Sequence, residues 1–599
     1  MTPQPVSPGQ RPWPAAPFAA LAAGLLAACT ALGPGPGPAP PDLAPVATTP
    51  RQVVASTAHP LATQAALRIL AAGGSAIDAT VAAQMVLGLV EPQSSGIGGG
   101  LLMMVWDVGG QRLRSYDGLS AAPARTTASL RTDVDGRPLP AAAVERGGRS
   151  VGVPGALMAL ELAHRRHGRL PWARLFEPAI ELARQGHPLA AYAQGILARD
   201  PGAVLHRSFR PDYFDAQGQA LPVGTMLRNP AYAATLQAIA SQGVAGFWRQ
   251  GGAARLVAAV RQGPHPSLMT EQDILAYRAV EREPACGPLR AWRVCLAGPP
   301  SFGGVTVLQM LQMLDAHNAP ASAAALEQPA FWHLYAEAGR LAQADRRHYV
   351  GDPDQVAVPV AALTAPAYLR QRAMLIDPQR AAATVRHGNP AAAVSQAADA
   401  DTTVALGVEA GEATSADQTS QIVVVDADGG MASTSTTINL NFGARVRVDG
   451  YVLNNAMTNF VTTPGRDAPL PNQMAPGKRP VTSMAPLVVF DAAGRPLLAG
   501  GSAGGGQIVG YIARALVEML VLDRSPAQAL VGGHVSTALA PRVQLEQGTP
   551  RAALAAALRE RGHDVVVEPI ASGAGFIKRV PGGWLGAADP RRDGLALGY

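Results

Sequence analysis

Thr419 is the residue of this 599-residue chain with the most chemistry within reach. Inside a continuous chain it is one more β-branched residue. Freed by a break after Gln418, it would carry a hydroxyl nucleophile and its own α-amine as base. The residues that follow read Ile422-Val423-Val424-Val425, then Asp426-Ala427-Asp428-Gly429-Gly430, then Met431 onward to Asn439. Asp and Gly between two strand-like runs mark a hairpin turn. A turn centred on Asp428 makes antiparallel partners sum to about 856, which sets Thr437 across from Thr419 within one residue. Period two then puts Asn439 on the face of Thr437. Taken alone, Thr434, Thr436 and Thr437 are equally well explained as β-branched strand formers.

Two further stretches could complete a site. Gly500-Gly501-Ser502-Ala503-Gly504-Gly505-Gly506 opens an apolar helix at Ile508. Bare backbone N–H groups at a helix start can hold an oxyanion, although a glycine run by itself is also a plain flexible turn. Lys478-Arg479-Pro480-Val481-Thr482-Ser483-Met484 brings a basic entry and two adjacent hydroxyls.

The elements that must position these residues alternate irregularly. Ala58 to Val90 is helical and rich in small residues, with a break at Gly73-Gly74. Gly96 to Gly100 then leads into an apolar strand, Leu101 to Trp106. A dinucleotide-binding glycine loop follows a strand and opens a helix, and this one does the reverse. Helical patterns cover Leu157 to His167, Leu175 to Gln185, Val305 to Ala316 and Trp332 to Tyr349. Residues 268–300 read as a helix and a hairpin. His164 and His167 stand at i, i+3 without carboxylate company, a surface pattern rather than a metal site. Residues 378–416 are Ala-, Thr- and Ser-rich, as expected of an exposed stretch ending just before Thr419. Strand signals then run to about residue 500, followed by a helix from Ile508 to Leu522. Helices and strands mixed in this way predict helices packed on stacked antiparallel sheets, an α+β fold.

Composition narrows the function classes. With 48% hydrophobic and 15% charged residues, the chain can bury a large core. The net charge of +6 is thinly spread, and Lys478 and Lys578 are the sole lysines against 47 arginines. No basic cluster interleaves with aromatics, which argues against nucleic-acid binding. Arg11 precedes a short apolar run, Ala19 to Ala28, and Leu26-Ala27-Ala28-Cys29 resembles a lipobox. Residues 1–28 therefore read as a signal peptide with lipidation at Cys29, the alternatives being an ordinary cleaved signal or an Ala-rich tail. Residues 29–50, with Gly33-Pro34-Gly35-Pro36-Gly37-Pro38, suit a tether. The expected location is the periplasm, with the membrane touched only through that anchor. Cys286 and Cys295 flank Gly287-Pro288 and form either a cross-hairpin disulfide or two buried thiols.

Taken in order, the three site stretches resemble the small subunit of the gamma-glutamyltransferase family, N-terminal-nucleophile hydrolases made as one self-cutting precursor. Further family-like landmarks are Gly73 to Ala79, Gly98-Gly99-Gly100, Gly152-Val153-Pro154-Gly155, Pro299 to Gly304, Ala344-Asp345-Arg346, Gly351-Asp352-Pro353-Asp354 and Gly586 to Arg591. The resemblance covers about residue 50 to the C-terminus. It implies a four-layer αββα sandwich, one compact domain built from two self-cleaved subunits. It implies cleavage between Gln418 and Thr419, with a large subunit of 51–418 and a small one of 419–599 forming a heterodimer. By position Thr419 is the nucleophile, Thr437 its hydrogen-bonding supporter, and Gly504 with Gly505 the oxyanion hole. Asn439, Asn459, Thr482 and Ser483 fall at substrate-contact positions. Neither a metal nor a cofactor is implied.

The resemblance also departs from the family pattern at one subsite. Where the family holds the glutamate carboxylate with an arginine before Ala-Pro, here Ala122-Pro123, this chain has Gly118 or Leu119. Arg114 and Arg125 are near but out of register. After Asn454-Asn455, the positions that hold the α-amino group read Ala456 and Asn459. The stretch from Phe460 to Lys478 is short compared with members that carry a long lid. Three readings follow: a gamma-glutamyltransferase or glutathione hydrolase acting on small gamma-glutamyl amides, a related N-acylase of cephalosporin-acylase type, or a processed but non-catalytic binding lipoprotein.

Overall fold

Gly73-Gly74 closes one helix and Ser75 starts the next. Helix α1 spans Pro60–Ala71 and α2 spans Ala76–Val90. Ser75 Oγ accepts from the Asp78 N–H at 3.1 Å, and the Asp78 carboxylate accepts from the Ser75 N–H at 2.9 Å, a capping box. In this computed structural model the described residues are 49–599, apart from 128, 129, 131, 134, 136, 138, 200–208, 264, 320, 321, 392–417, 462–468 and 538–541. The expected signal, the expected lipidation site Cys29 and most of the expected tether lie outside them, as does most of the stretch before Thr419.

Two antiparallel sheets organise the rest. Their strands are β1 (Val54–Thr57), β2 (Gly100–Asp107), β3 (Arg112–Gly118), β4 (Val280–Arg282), β5 (Ala285–Leu289) and β6 (Trp292–Leu296). From the second part come β7 (Ser420–Val425), β8 (Met431–Thr437), β9 (Leu487–Phe490), β10 (Pro496–Ala503), β11 (Gly573–Val580), β12 (Gly583–Ala588) and β13 (Leu595–Gly598). One sheet runs β13-β1-β7-β8-β2-β3-β4 and the other β12-β11-β10-β9-β6-β5. Strands from both sides of Thr419 contribute to both sheets, so the two proposed subunits share one core.

Period two assigns the faces. Leu101, Met103, Val105, Ile422, Val424 and Ala432 pack outward on α1, α2, α3 (Ala156–His167), α4 (Glu177–Gln185) and α5 (Pro230–Phe247). Leu102, Met104, Trp106, Val423, Val425 and Met431 face inward against the second sheet. Beyond that sheet lie α6 (Gly303–Ala316), α7 (Pro329–Tyr349) and α8 (Ile508–Leu516). The result is helix, sheet, sheet, helix, as the resemblance implied.

Polar pins hold the sheets near the site. Ser433 Oγ donates to the Gly500 carbonyl at 2.6 Å, and Gln421 Nε2 donates to Ser433 Oγ at 3.1 Å. A Cβ at Gly501 would lie 2.5 Å from Gln421 Oε1, so a glycine is needed there for this approach.

Some expectations change. Among the described residues between β8 and β9 the chain is mostly irregular, with two-residue strands at Arg447–Val448 and Tyr451–Val452. Loop contacts to the first part hold it there: Asn454 Nδ2 donates to the Gly98 and Gly152 carbonyls at 2.8 and 2.9 Å. The helix from Ile508 keeps α geometry to Leu516 and widens to a π-turn over Val517–Val521. Cys286 and Cys295 face each other across β5 and β6 and are bonded as a disulfide. His167 meets the Tyr116 hydroxyl at 2.7 Å, and His164 meets the Leu170 carbonyl at 3.0 Å. Among the described residues no group of His, Cys, Asp and Glu could hold a metal ion, and no helix is long and apolar enough to cross a membrane.

Candidate active site

The hairpin brings the two threonines together. Its register runs from Val425 opposite Met431 to Ser420 opposite Thr436, so the next step sets Thr419 across from Thr437. The Thr419 hydroxyl donates to Thr437 Oγ1 at 3.2 Å. Thr437 Oγ1 also accepts the Asn439 N–H at 2.9 Å, which fixes its position. Thr419 has φ +78°. That left-handed backbone is rare for a β-branched residue and stores strain at Thr419.

Opposite the hairpin, β10 ends in the glycine turn. Gly504 has φ +135°, and a Cβ there would lie 2.4 Å from Tyr511 Cε2. Its N–H donates to the Gln418 carbonyl at 3.2 Å. The Gly504 amide is therefore aimed at the carbonyl next to Thr419.

One cleft gathers the remaining candidates. Thr419, Thr437, Asn439, Asn459, Thr482, Ser483 and Gly505 line it, together with the apolar Phe302, Val481 and Met484. Ser483 Oγ donates to the Gly505 carbonyl at 2.6 Å, tying the hydroxyl pair to the glycine turn. Thr482 Oγ1 accepts the Met484 N–H at 3.2 Å and braces its own loop. Asn439 reaches the cleft by a turn at φ +75° after β8 has ended, not by strand alternation. Its amide nitrogen donates to Thr458 Oγ1 at 2.9 Å and to Asn455, which fixes the side chain at the cleft wall. Asn459 holds Asn472 through its backbone carbonyl at 2.8 Å. Ala456 does not line the cleft.

The cleft carries no charged side chain among the described residues. Arg114 sits on β3 and pairs with Glu281 at 3.1 Å and Glu283 at 3.0 Å. Arg125 is exposed and outside the lining.

Two residues of the site were not legible in the sequence. Arg592 donates through Nη1 to the Thr419 carbonyl at 2.8 Å and through Nη2 to the Gln418 carbonyl at 3.4 Å. The family-like landmark at the C-terminus stops one residue short of it. Glu91, at the end of α2, accepts from Ser420 Oγ at 2.7 Å. Burial pushes its carboxyl up to about 7, against the pull of the Arg592 cation and the Ser420 hydroxyl. An unaligned carboxylate before a proline gave no signal.

Four stacked layers and a threonine hairpin facing a glycine turn define the class: an N-terminal-nucleophile hydrolase fold. The family described as Gamma-glutamyltranspeptidase matches residues 62–599, and the chain belongs to that family. It is 32% identical over 548 residues to the glutathione hydrolase proenzyme of Bacillus subtilis (strain 168), spanning 91% of each chain. It is 35% identical over 557 residues to the acylase ACY 1 proenzyme of Pseudomonas sp. (strain SE83), spanning 90% of this chain and 92% of that one. Its fold matches the cephalosporin acylase from Bacillus halodurans with TM-score 0.79 at 26% identity, over 95% of this chain and 99% of the other.

Proposed function

We propose that the protein is a self-processing threonine amidohydrolase and acyltransferase that cleaves gamma-glutamyl amide bonds and passes the acyl group to water or an amine. The carrying observation is the meeting of the Thr419 hydroxyl with Thr437 Oγ1 at 3.2 Å, beside a Gly504 amide already on the Gln418 carbonyl at 3.2 Å. On this reading the chain is cut between Gln418 and Thr419 into segments 51–418 and 419–599. The freed α-amine, with an ordinary pKa of about 7.7–8.0, takes the Oγ proton. Oγ attacks the substrate carbonyl, the Gly504 and Gly505 amides hold the oxyanion, and the ester on Thr419 is resolved by water or an amine. Asn439, Asn459, Thr482 and Ser483 contact the acyl donor. Residues 1–28 direct export and Cys29 carries a lipid anchor in the periplasm.

The uncharged cleft favours a second reading, an N-acylase for a less zwitterionic acyl group. Charge-assisted contacts are worth roughly 1.5–3 kcal/mol each. A glutamyl group that lost about three of them would lose several orders of magnitude in recognition. Purified protein run on a denaturing gel should give two fragments, and Thr419→Ala one. A panel of γ-glutamyl and neutral-acyl chromogenic amides separates the two readings. Turnover confined to γ-glutamyl amides removes the acylase reading, and turnover confined to neutral acyl amides removes the first.

A further inference from the structure

We propose that Arg592 is a catalytic residue of self-cleavage, its guanidinium acting with the Gly504 amide to hold the charge that develops on the Gln418 carbonyl oxygen. This rests on the reading that the chain cuts itself between Gln418 and Thr419. The guanidinium spans the bond in question: Nη1 is 2.8 Å from the Thr419 carbonyl oxygen and Nη2 3.4 Å from that of Gln418. One planar fork reaching two successive carbonyls requires both to point to one side, which extended backbone does not allow. The φ of +78° at Thr419 is the conformation that turns them together. Clamp and backbone strain therefore fall on the same peptide.

The fork is itself held. Nη2 donates to the Ala571 carbonyl at 3.2 Å, and the guanidinium carbon lies 4.7 Å from the Tyr192 ring centroid. A Cβ at Gly573 would come within 2.8 Å of Arg592 Nε, so a glycine makes the room. The Arg592 cation also acts on the buried Glu91 carboxyl, pulling against the burial that holds its proton up to about 7. Arg592 is absent from the cleft lining, so its charge serves the chain's own peptide rather than an incoming substrate.

The step balances without a co-reactant other than water. Thr419 Oγ bonds to the Gln418 carbonyl carbon, and its proton passes by way of the Thr437 hydroxyl to the Thr419 nitrogen. The oxyanion, held by Gly504 N–H and Arg592, collapses and breaks the C–N bond, giving a Gln418 ester on Oγ and a free amine. Water then adds to the ester, the C–Oγ bond breaks, Oγ regains a proton, and Gln418 leaves as a carboxylate.

The test follows self-cleavage of the purified full-length precursor by gel and intact mass. The proteins are wild type, Thr419→Ala, Arg592→Ala, Arg592→Lys and Arg592→Gln. Arg592→Ala is expected to cleave at least about 100-fold more slowly, with Arg592→Lys intermediate and millimolar guanidinium restoring part of the rate. Cleavage of Arg592→Ala within threefold of wild type overturns the proposal while self-cleavage stands. Slowing that neither lysine nor guanidinium relieves overturns the charge role and leaves only packing. Wild type that stays a single chain under every condition defeats the self-cleavage reading itself. Folding is scored by thermal midpoint in the Thr419→Ala background. If Arg592→Ala does not fold, the rates of Arg592→Lys and Arg592→Gln decide: equal rates overturn the proposal, and a lysine at least tenfold faster supports it.

Discussion

Replacing Thr437 by valine keeps the β-branched shape and removes one oxygen, so it isolates what that oxygen does. In the resting site Thr437 Oγ1 accepts the Thr419 hydroxyl at 3.2 Å and the Asn439 N–H at 2.9 Å. During attack Thr419 Oγ becomes more negative, and the Thr437 hydroxyl is placed to donate to it. A hydrogen bond to a charged group is worth about 1.5–3 kcal/mol, which converts to a loss of about 10- to 150-fold in kcat/KM. The Asn439 N–H also loses its acceptor in a buried turn, at a cost of about 1–3 kcal/mol in stability. Thr437→Ser keeps the hydroxyl and should stay close to wild type on both counts. The assay is kcat/KM on a chromogenic amide, normalised to the amount of free Thr419 amino terminus so that uncleaved precursor is not counted. A Thr437→Val enzyme within threefold of wild type, or a serine variant as poor as valine, would refute the supporting role.

Gly504→Ala adds a Cβ that would fall 2.4 Å from the Tyr511 ring at φ +135°. Moving that N–H should slow self-cleavage by about 100-fold or more, and an unchanged cleavage half-life would remove Gly504 from the oxyanion site. Glu91 holds its proton up to about 7 in the fold, against an ordinary value of 4.5, because it is buried. The folded state therefore binds the extra proton between those values, so stability should fall as pH rises from about 4.5 to about 7. Glu91→Gln should flatten that fall in denaturant midpoint; the same slope in the variant would assign it elsewhere. The Cys286–Cys295 bond closes a separation of 9 residues and should contribute about 2–3 kcal/mol. Alkylation should label neither cysteine until the protein is reduced, and labelling beforehand would count against the bond.

Local chemistry was enough for the hairpin and the glycine turn. A two-sided strand pattern around Asp426–Gly430 sets its own register, because side chains alternate and the turn fixes the count. Thr419 and Thr437 are only 18 residues apart, and the pairing read from the residues is the pairing observed. The helix breaks at Gly73-Gly74 and the strand after Gly96–Gly100 are legible for the same reason, since capping and periodicity act over a few residues. The cysteine pair stayed undecided in sequence, because whether two thiols meet depends on which edge of the hairpin each occupies.

Charge placement over the Gln418–Thr419 peptide came only from tertiary structure. Arg592 meets Thr419 across 173 positions, and Glu91 meets Ser420 across 329. Neither carries a local motif, because a guanidinium or carboxylate is addressed by whatever the packed layers bring beside it. The same holds for the cleft. Sequence placed Arg114 and Arg125 near the missing carboxylate contact, but β3 carries Arg114 away to Glu281 and Glu283. Short-range stereochemistry was therefore written in neighbouring residues, whereas the electrostatics of the site arose from segments that become neighbours only when two sheets and their helices close into one core.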